Sequence, residues 1–406
     1  MVIWIYWCRI PTQVRRGIGN FYILIPKNNV ISFRFKIKLH LDDKDVLVFI
    51  QSRLKCGNII TAQGKSYASF ELTRIADIQT ILIPLFDKFP LIGTKYLDYL
   101  AFKKAIDIKF DQSLSKSEKL ELITAVKNSM NNKKEYFTKS SHILSKITSN
   151  WLLGIMEGEG TFSLNTKTMS ISFHLVLTAS QASLIHAIKD YLDSIFLEDS
   201  KLKSYQGYQD INFDKIFVFE RESRGGAQKP HIGFTISQIN FIVEKFIPML
   251  YNLSFGTKKY YYFLDWAFIA TLIYKGKHTT EVGRELILKL SKRMNDKRLS
   301  TFKGYEGELH LEEIPQSLID EVLNMEDIYI RNSEGLRVKT SDHSLVSGQL
   351  YCILAEGGDK LVFKNSEACA KYFGVTSATI NNRITKRIPI KGGRKSLEFL
   401  LYRKAL

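Results

Sequence analysis

An internal repeat constrains this chain more than any other feature, because one sequence pattern written twice requires two structural units of one kind. In the first copy Gly17-Ile18-Gly19-Asn20-Phe21 precedes the run Ser32–His40. There Phe33, Phe35, Ile37 and Leu39 alternate with Ser32, Arg34, Lys36, Lys38 and His40. Period-two alternation predicts a strand with one buried face, and here the open face is cationic. In the second copy Gly158-Glu159-Gly160-Thr161-Phe162 precedes Ser172–Thr178, where Phe173, Leu175 and Leu177 alternate with Ser172, His174, Val176 and Thr178. Each strand leads into a helical pattern, residues 44–54 and 181–196, and then into a hairpin, residues 58–73 and 215–237. The second hairpin has a basic, Gly-rich tip at 221–229, with Arg221, Arg224 and Lys229. Both copies close on one phrase: Ile92-Gly93-Thr94-Lys95-Tyr96 before a helix to Ile106, and Phe255-Gly256-Thr257-Lys258-Lys259-Tyr260 before a helix to Tyr274. A polar stretch at 111–149, helical over 116–134, joins them.

Charge narrows the partners. The formal charge is +17 over 406 residues, and self-repulsion of that size persists where a polyanion neutralises it, which favours nucleic acid first and an anionic membrane second. Four scattered cysteines (Cys8, Cys56, Cys352, Cys369) fit neither a metal-ligand spacing nor a disulfide framework, and they point to a reducing compartment. No apolar run reaches the length needed to span a bilayer. The first 40 residues hold seven Lys and Arg and no Asp or Glu, a bias that resembles a mitochondrial transit peptide.

A third region follows the charged segment 275–339. It reads as strand (349–354), turn (356–359), strand (360–363), a helix at 366–373 that stops at Gly374-Val375, and a helix at 377–385 behind Thr376 as N-cap. Two short helices about a Gly-containing turn predict a helix-turn-helix, with Ala368, Ala370, Phe373, Val375 and Ile380 as its core.

The sharpest chemical signal is Trp151-Leu152-Leu153-Gly154-Ile155-Met156-Glu157-Gly158-Glu159-Gly160-Thr161-Phe162. Gly154 and Gly158 lie four apart, on one helical face, so a second helix can approach closely. Glu157 and Glu159 end an apolar run, where carboxylates need partners such as a divalent metal.

Residues 152–160 resemble the LAGLIDADG signature of homing endonucleases and intron-encoded maturases, and the likeness extends over roughly 17–290. It implies an α+β fold: two pseudo-symmetric ααββ-type half-domains forming a DNA-binding saddle. The two motif helices would pack at the pseudo-twofold axis and bring two acids over the minor groove. Glu159 falls at the family's metal-binding catalytic acid, with Gly158 beside it as a further metal contact, and Mg²⁺ is the implied cofactor. Lys95 and Lys258 or Lys259 fall where the family places a lysine near the scissile phosphates. The saddle's polar faces would read the major groove, which assigns Arg34, Lys36, Lys38, His40, His174, Arg221, Arg224 and Lys229 to DNA. Residues 349–389 resemble the nuclease-associated modular domains appended to such enzymes. Thr376, Ser377, Thr379, Asn381, Asn382 and Arg383 would then face DNA, with the basic tail 386–395 on the backbone.

One position departs from the family. Aligning the copies sets Ile18 opposite Glu159, and no carboxylate side chain precedes Asp42. A frameshifted or misjoined start, or degeneration, accounts for this. One acid supports nicking; a double-strand break needs two. The expected divisions are a degenerate half (1–110), a linker (111–149), an intact half (150–290), a connector (291–345) and a β-hairpin/helix-turn-helix module (346–406). Three functions compete: a site-specific DNA endonuclease with a long asymmetric target, a maturase that binds group I intron RNA, and an inactive DNA-binding remnant. A monomeric pseudo-dimer in the mitochondrion, without a membrane partner, is expected in each case.

Overall fold

In the computed structural model the described residues are 19–27, 29–61, 63–130, 147–196, 216–222, 230–294, 313–331, 337–343, 346, 350–355, 360–363, 366–386, 390–391 and 398–404. Ile18, the first-copy position opposite Glu159, lies outside them, as do Arg224 and Lys229.

The first half runs β1 (Asn20–Leu24), β2 (Ser32–His40), α1 (Lys44–Leu54), β3 (Asn58–Thr61), β4 (Tyr67–Leu72), α2 (residues 75–88) and α3 (Thr94–Phe110). Its strands form an antiparallel sheet in the order β1-β2-β4-β3. The alternation read from the sequence holds: Phe33, Phe35, Ile37 and Leu39 are buried beneath the sheet, and Arg34, Lys36 and Lys38 stand on the other face. Inside the expected linker, α4 (Lys116–Asn128) starts on a capping box between Ser115 and Glu118. Its Ile123, and Met130 just beyond it, join the first core.

The second half begins with the motif helix α5 (Ser149–Glu159) and continues β5 (Gly160–Asn165), β6 (Ser170–Thr178), α6 (Ala182–Phe196), β7 (Phe217–Arg221), β8 (His231–Ile236), α7 (residues 239–251) and α8 (Lys259–Tyr274). Its sheet order, β5-β6-β8-β7, repeats the first.

The match extends to the cores. Phe21 pairs with Phe35 across β1 and β2, and Phe162 with Phe173 across β5 and β6, at ring separations of 5.2 and 5.3 Å. Each first-strand ring also meets its closing helix at the same distance: Phe21 to Phe102 of α3 is 5.1 Å, and Phe162 to Trp266 of α8 is 5.1 Å. The same packing explains the glycine before each first-strand ring. A Cβ on Gly19 would fall 2.5 Å from the Phe35 ring, and one on Gly160 would fall 2.5 Å from the Met156 carbonyl and 2.8 Å from the Phe173 ring.

The helices α2 and α7, absent from the sequence reading, are alike in an unusual respect. Each contains a π-helical turn, Ile78–Leu82 in one and Ile242–Phe246 in the other, followed at once by Ile-Pro. A π turn is a one-residue insertion into a helix.

Residues 291–345, read as a connector, add to the second core. After α9 (Glu281–Ser291), Met294, Ile314 and Val322 of α10 (Gln316–Asn324) pack into it with Leu286, Ile287 and Leu290. The hairpin β9 (Tyr329–Arg331) and β10 (Arg337–Lys339) is tied back by Arg331 on Glu244 and by Arg337 over the Tyr274 ring.

The C-terminal region holds β11 (Leu350–Ala355), β12 (Lys360–Phe363), α11 (Ser366–Phe373), α12 (Ser377–Lys386), β13 (Ile390–Lys391) and β14 (Glu398–Lys404), with a sheet in the order β12-β11-β14-β13. The two-helix turn is built as read. Gly374 takes φ +67°, Val375 donates its N–H to the Ala370 carbonyl, and Thr376 Oγ1 accepts the Thr379 N–H at 3.2 Å. Ala370, Phe373 and Ile380 are buried, whereas Val375 is only half-buried, and Ala368 lies outside the residues whose side chains are described. Cys369 takes a core place instead, and burial pushes its thiol up to about 12. The strands β13 and β14 enlarge the expected hairpin to a four-stranded sheet. Among the described residues no helix is long and apolar enough to cross a membrane.

Candidate active site

Helix α5 is buried along its whole length from Trp151 to Gly158, and Gly154 and Gly158 are buried with it. Glu157 therefore lies in the apolar interior, 0% exposed. Its Oε1 accepts the Gly256 N–H at 2.9 Å, the Thr257 N–H at 3.0 Å and the Thr257 hydroxyl at 2.8 Å. A buried carboxylate needs such partners, and the approach to α8 supplies them from the backbone amides ahead of its first turn. Partners were expected for Glu157, a divalent metal among the candidates; amides and a hydroxyl supply them, and the residue secures the entry to the closing helix.

Lys259 answers in the opposite direction. The residue is 7% exposed, and its ammonium donates to the Gly160 carbonyl at 2.5 Å and the Met156 carbonyl at 3.4 Å. Those carbonyls bracket Glu159, the half-buried last residue of α5. A lysine on the terminal carbonyls of a helix suits the negative end of its dipole. The end of α5 and the start of α8 thus clamp each other, Glu157 one way and Lys259 the other.

The two halves resolve the lysine register. Lys95 of the first half donates to Asn20 Oδ1 at 2.8 Å and lies 3.5 Å from Asp98 Oδ2. Like Lys259, it reaches the start of its own half's first strand, so Lys259 is the counterpart of Lys95. Lys258 is an extra residue in the second copy, and it turns to the other half. Its N–H donates to Asp43 Oδ1 at 3.0 Å, and its ammonium pairs with Asp42 Oδ2 at 2.9 Å. A reciprocal contact lies on the other side of the seam. Gly93, at φ +93°, leaves no room for a Cβ, which would fall 2.5 Å from Gln181 and 3.2 Å from Leu184 of the second half. Asp42, Asp43 and Gln181 occupy corresponding turns after β2 and β6 and were missed in the sequence. Their only local signal is a polar pair after an alternating strand, which also suits an ordinary helix cap.

The open sheet faces differ. On the first, Lys36 pairs with Glu71 at 2.6 Å, Arg34 with the same carboxylate at 3.5 Å, and Lys38 lies 3.4 Å from the centre of the Tyr67 ring. His40, expected on this face, is 8% exposed; its Nδ1 accepts the Asp42 N–H at 3.2 Å, because the chain turns there into the helix. On the second, His174 is bonded to Ser172 at 2.8 Å and Thr235 at 2.7 Å. Burial, then the nearby Arg221 charge, hold its pKa below the ordinary histidine value. Arg221 lies over the Phe219 ring. In α12 Asn382 is exposed, Ser377, Thr379, Asn381 and Arg383 are half-buried, and the exposed Thr376 spends its hydroxyl on the cap. Among the described residues no group of three or more His, Cys, Asp or Glu could hold a metal ion.

Residues 16–106 match the model of the LAGLIDADG endonuclease family. The first half of the chain thus resembles that family. The chain is 24% identical over 322 residues to the uncharacterized mitochondrial protein RF1 of Saccharomyces cerevisiae, an alignment covering 77% of this chain and 63% of that protein. It is 34% identical over 143 residues to the probable intron-encoded endonuclease Cox1-I1b of Schizosaccharomyces pombe, covering 34% of this chain and 36% of the relative. The chain thus spans less than two thirds of either curated relative. Among solved structures, the LAGLIDADG homing endonuclease I-GzeII in complex with its DNA target has this fold: TM-score 0.56 and 24% identity over 73% of this chain and 99% of that one. The LAGLIDADG fold places the motif helix α5 at the start of the second half, with its Glu157 and Lys259 contacts at the origin of the closing helix.

Proposed function

We propose that this chain is an intron-encoded, site-specific DNA endonuclease whose cutting chemistry rests on Glu159. The observation that carries this reading is the clamp around that residue. Lys259 fixes the carbonyls on either side of Glu159, and the end of the motif helix is held next to the seam where Lys258 meets Asp42 and Asp43. A half-buried carboxylate on backbone held in this way offers an oxygen ligand to a cation.

Glu159 and the neighbouring Gly158 carbonyl would hold a divalent cation, and as oxygen donors they suit Mg²⁺. When bound, the cation supplies Lewis-acid polarisation of the scissile phosphodiester and lowers the pKa of water. The chain's own groups orient and bind. Arg34, Lys36, Lys38, Arg221, Arg224 and Lys229 contribute phosphate and base contacts along the saddle, and His174 with Ser172 and Thr235 offers neutral hydrogen bonding. Lys95 and Lys259 hold the first strand of each half in register, and Lys258 supplies a positive charge at the seam. The polar positions of α12, from Thr376 to Arg383, extend the contact beyond the saddle. In this reading 1–110 and 150–290 are half-sites of a monomeric pseudo-dimer, 111–149 is the link, 291–345 the connector and 346–406 the added module. The name of the mitochondrial relative RF1 supports the mitochondrion as its location.

With Ile18 in the acid position of the first half, the expected product is a nick. A supercoiled plasmid carrying the intronless target, incubated with Mg²⁺, should give open circles and little linear DNA. Glu159→Gln should abolish nicking, a loss of at least about 10²-fold, with target affinity kept. Efficient linearisation by the unaltered protein would refute the single-acid reading, and undiminished nicking by E159Q would remove Glu159 from the chemistry.

A further inference from the structure

The amides at the start of α8 have a full set of acceptors, and one of those acceptors comes from the other half of the molecule. Gly256 and Thr257 N–H go to Glu157, and Lys259 N–H goes to Thr257 Oγ1 at 3.3 Å. Lys258 N–H goes to Asp43, some 215 residues away in the chain. We propose that Asp43 is a positioning residue acting across the seam: by holding Lys258 N–H it sets the first turn of α8, and so keeps Lys259 on the Met156 and Gly160 carbonyls that bracket Glu159. The proposal rests on the endonuclease reading for its effect on rate, but not for the contact itself.

Three observations support it. Asp43 is 3% exposed, and among the described residues its Oδ2 has no hydrogen-bond partner, so the carboxylate is kept buried at a cost that a chance surface contact would not bear. Burial raises its pKa, and the Lys258 N–H is the largest opposing influence. Asp42 holds the Lys258 ammonium at the same time, so backbone and side chain of one residue are both gripped by the first half. The grip also explains the extra residue. Without Lys258, Lys259 could still play the part of Lys95, but nothing would carry an amide across the seam. Cutting in the second half would thereby depend on correct docking of the first, although the first contributes no acid.

The test uses the full chain and two pairs of variants. Asp43→Ala should raise amide hydrogen exchange at Lys258–Tyr261 about tenfold and slow single-turnover nicking by a similar factor, with the Kd for target duplex within about twofold. Asp43→Asn, whose amide oxygen can accept the same N–H, should recover most of both. The second pair needs no change at Asp43: Lys258→Ala keeps the N–H and Lys258→Pro removes it at a residue whose φ of −58° already suits proline. The proline variant should nick about tenfold more slowly than the alanine variant. Unchanged exchange in D43A, a rate loss matched by an equal affinity loss, or equal rates for K258A and K258P would overturn the proposal. If the unaltered protein binds target but never nicks, the endonuclease reading fails, and the exchange measurement still decides for or against Asp43.

Discussion

The two halves share a scaffold but not a surface. Beneath the sheets they are near copies: the same strand order, the same Phe–Phe pair at 5.2 and 5.3 Å, and the same 5.1 Å contact to the closing helix. Above the sheets they diverge. The first half presents Arg34 and Lys36 on Glu71 with Lys38 over Tyr67, and the second presents His174 bonded to Ser172 and Thr235, with Arg221 at the edge. The difference teaches that packing holds each half to one architecture, while the face left open is free to change. Charge grips phosphates regardless of sequence, whereas neutral donors and acceptors discriminate base edges. On the proposed endonuclease reading, the first half would supply anchorage and the second discrimination.

Replacing the paired core rings is the most severe way to challenge the equivalence. Phe21→Ala and Phe162→Ala should each lower unfolding stability by about 3–5 kcal/mol, measured by denaturant titration, and by similar amounts. A loss at one site less than half that at the other would break the likeness of the cores. The surfaces are separated by salt. Lys36→Ala should reduce the slope of log Kd against log salt by about 1, while His174→Ala weakens binding without altering the slope. Equal slope changes would mean that the faces do not divide the work.

The smallest effect is a pH dependence confined to the second half. His174 stays neutral in the folded chain because burial, and next the Arg221 charge, oppose its protonation. Its pKa is lower folded than unfolded, so the unfolded chain binds the proton first. The stability it contributes is complete above about pH 6.5 and declines as pH falls from there through the folded-state value. Melting curves between pH 7.5 and 5 should show a small drop that His174→Gln removes; an identical drop in both would locate the dependence elsewhere.

Much of the scaffold was legible because alternation and turn chemistry are local. The run Ser32–His40 forms β2 with the boundaries read from its pattern, and Thr376 caps α12 as its side chain suggests. The helices α2 and α7 were not legible, since a π turn shifts the apolar period away from 3.6 and a proline sits inside each pattern. In the candidate site, Glu157 and Glu159 stood out as carboxylates in an apolar run. What Glu157 binds depends on residues about 100 positions away, and the Asp43 contact on one 215 away. The Lys258/Lys259 ambiguity could not be settled by counting, because a one-residue insertion makes both alignments fit. His40 continued the strand's alternation on paper, but the bend into the next helix draws its ring inward.

The matched π turns bear on history. An inserted residue that survives inside a helix at the same place in both units, each time with Ile-Pro behind it, is far more easily inherited once than acquired twice. The unit was therefore already complete, irregularity included, before it was doubled. A lone ancestor of that kind would have had its seam surface uncovered, and another molecule of itself was the natural cover.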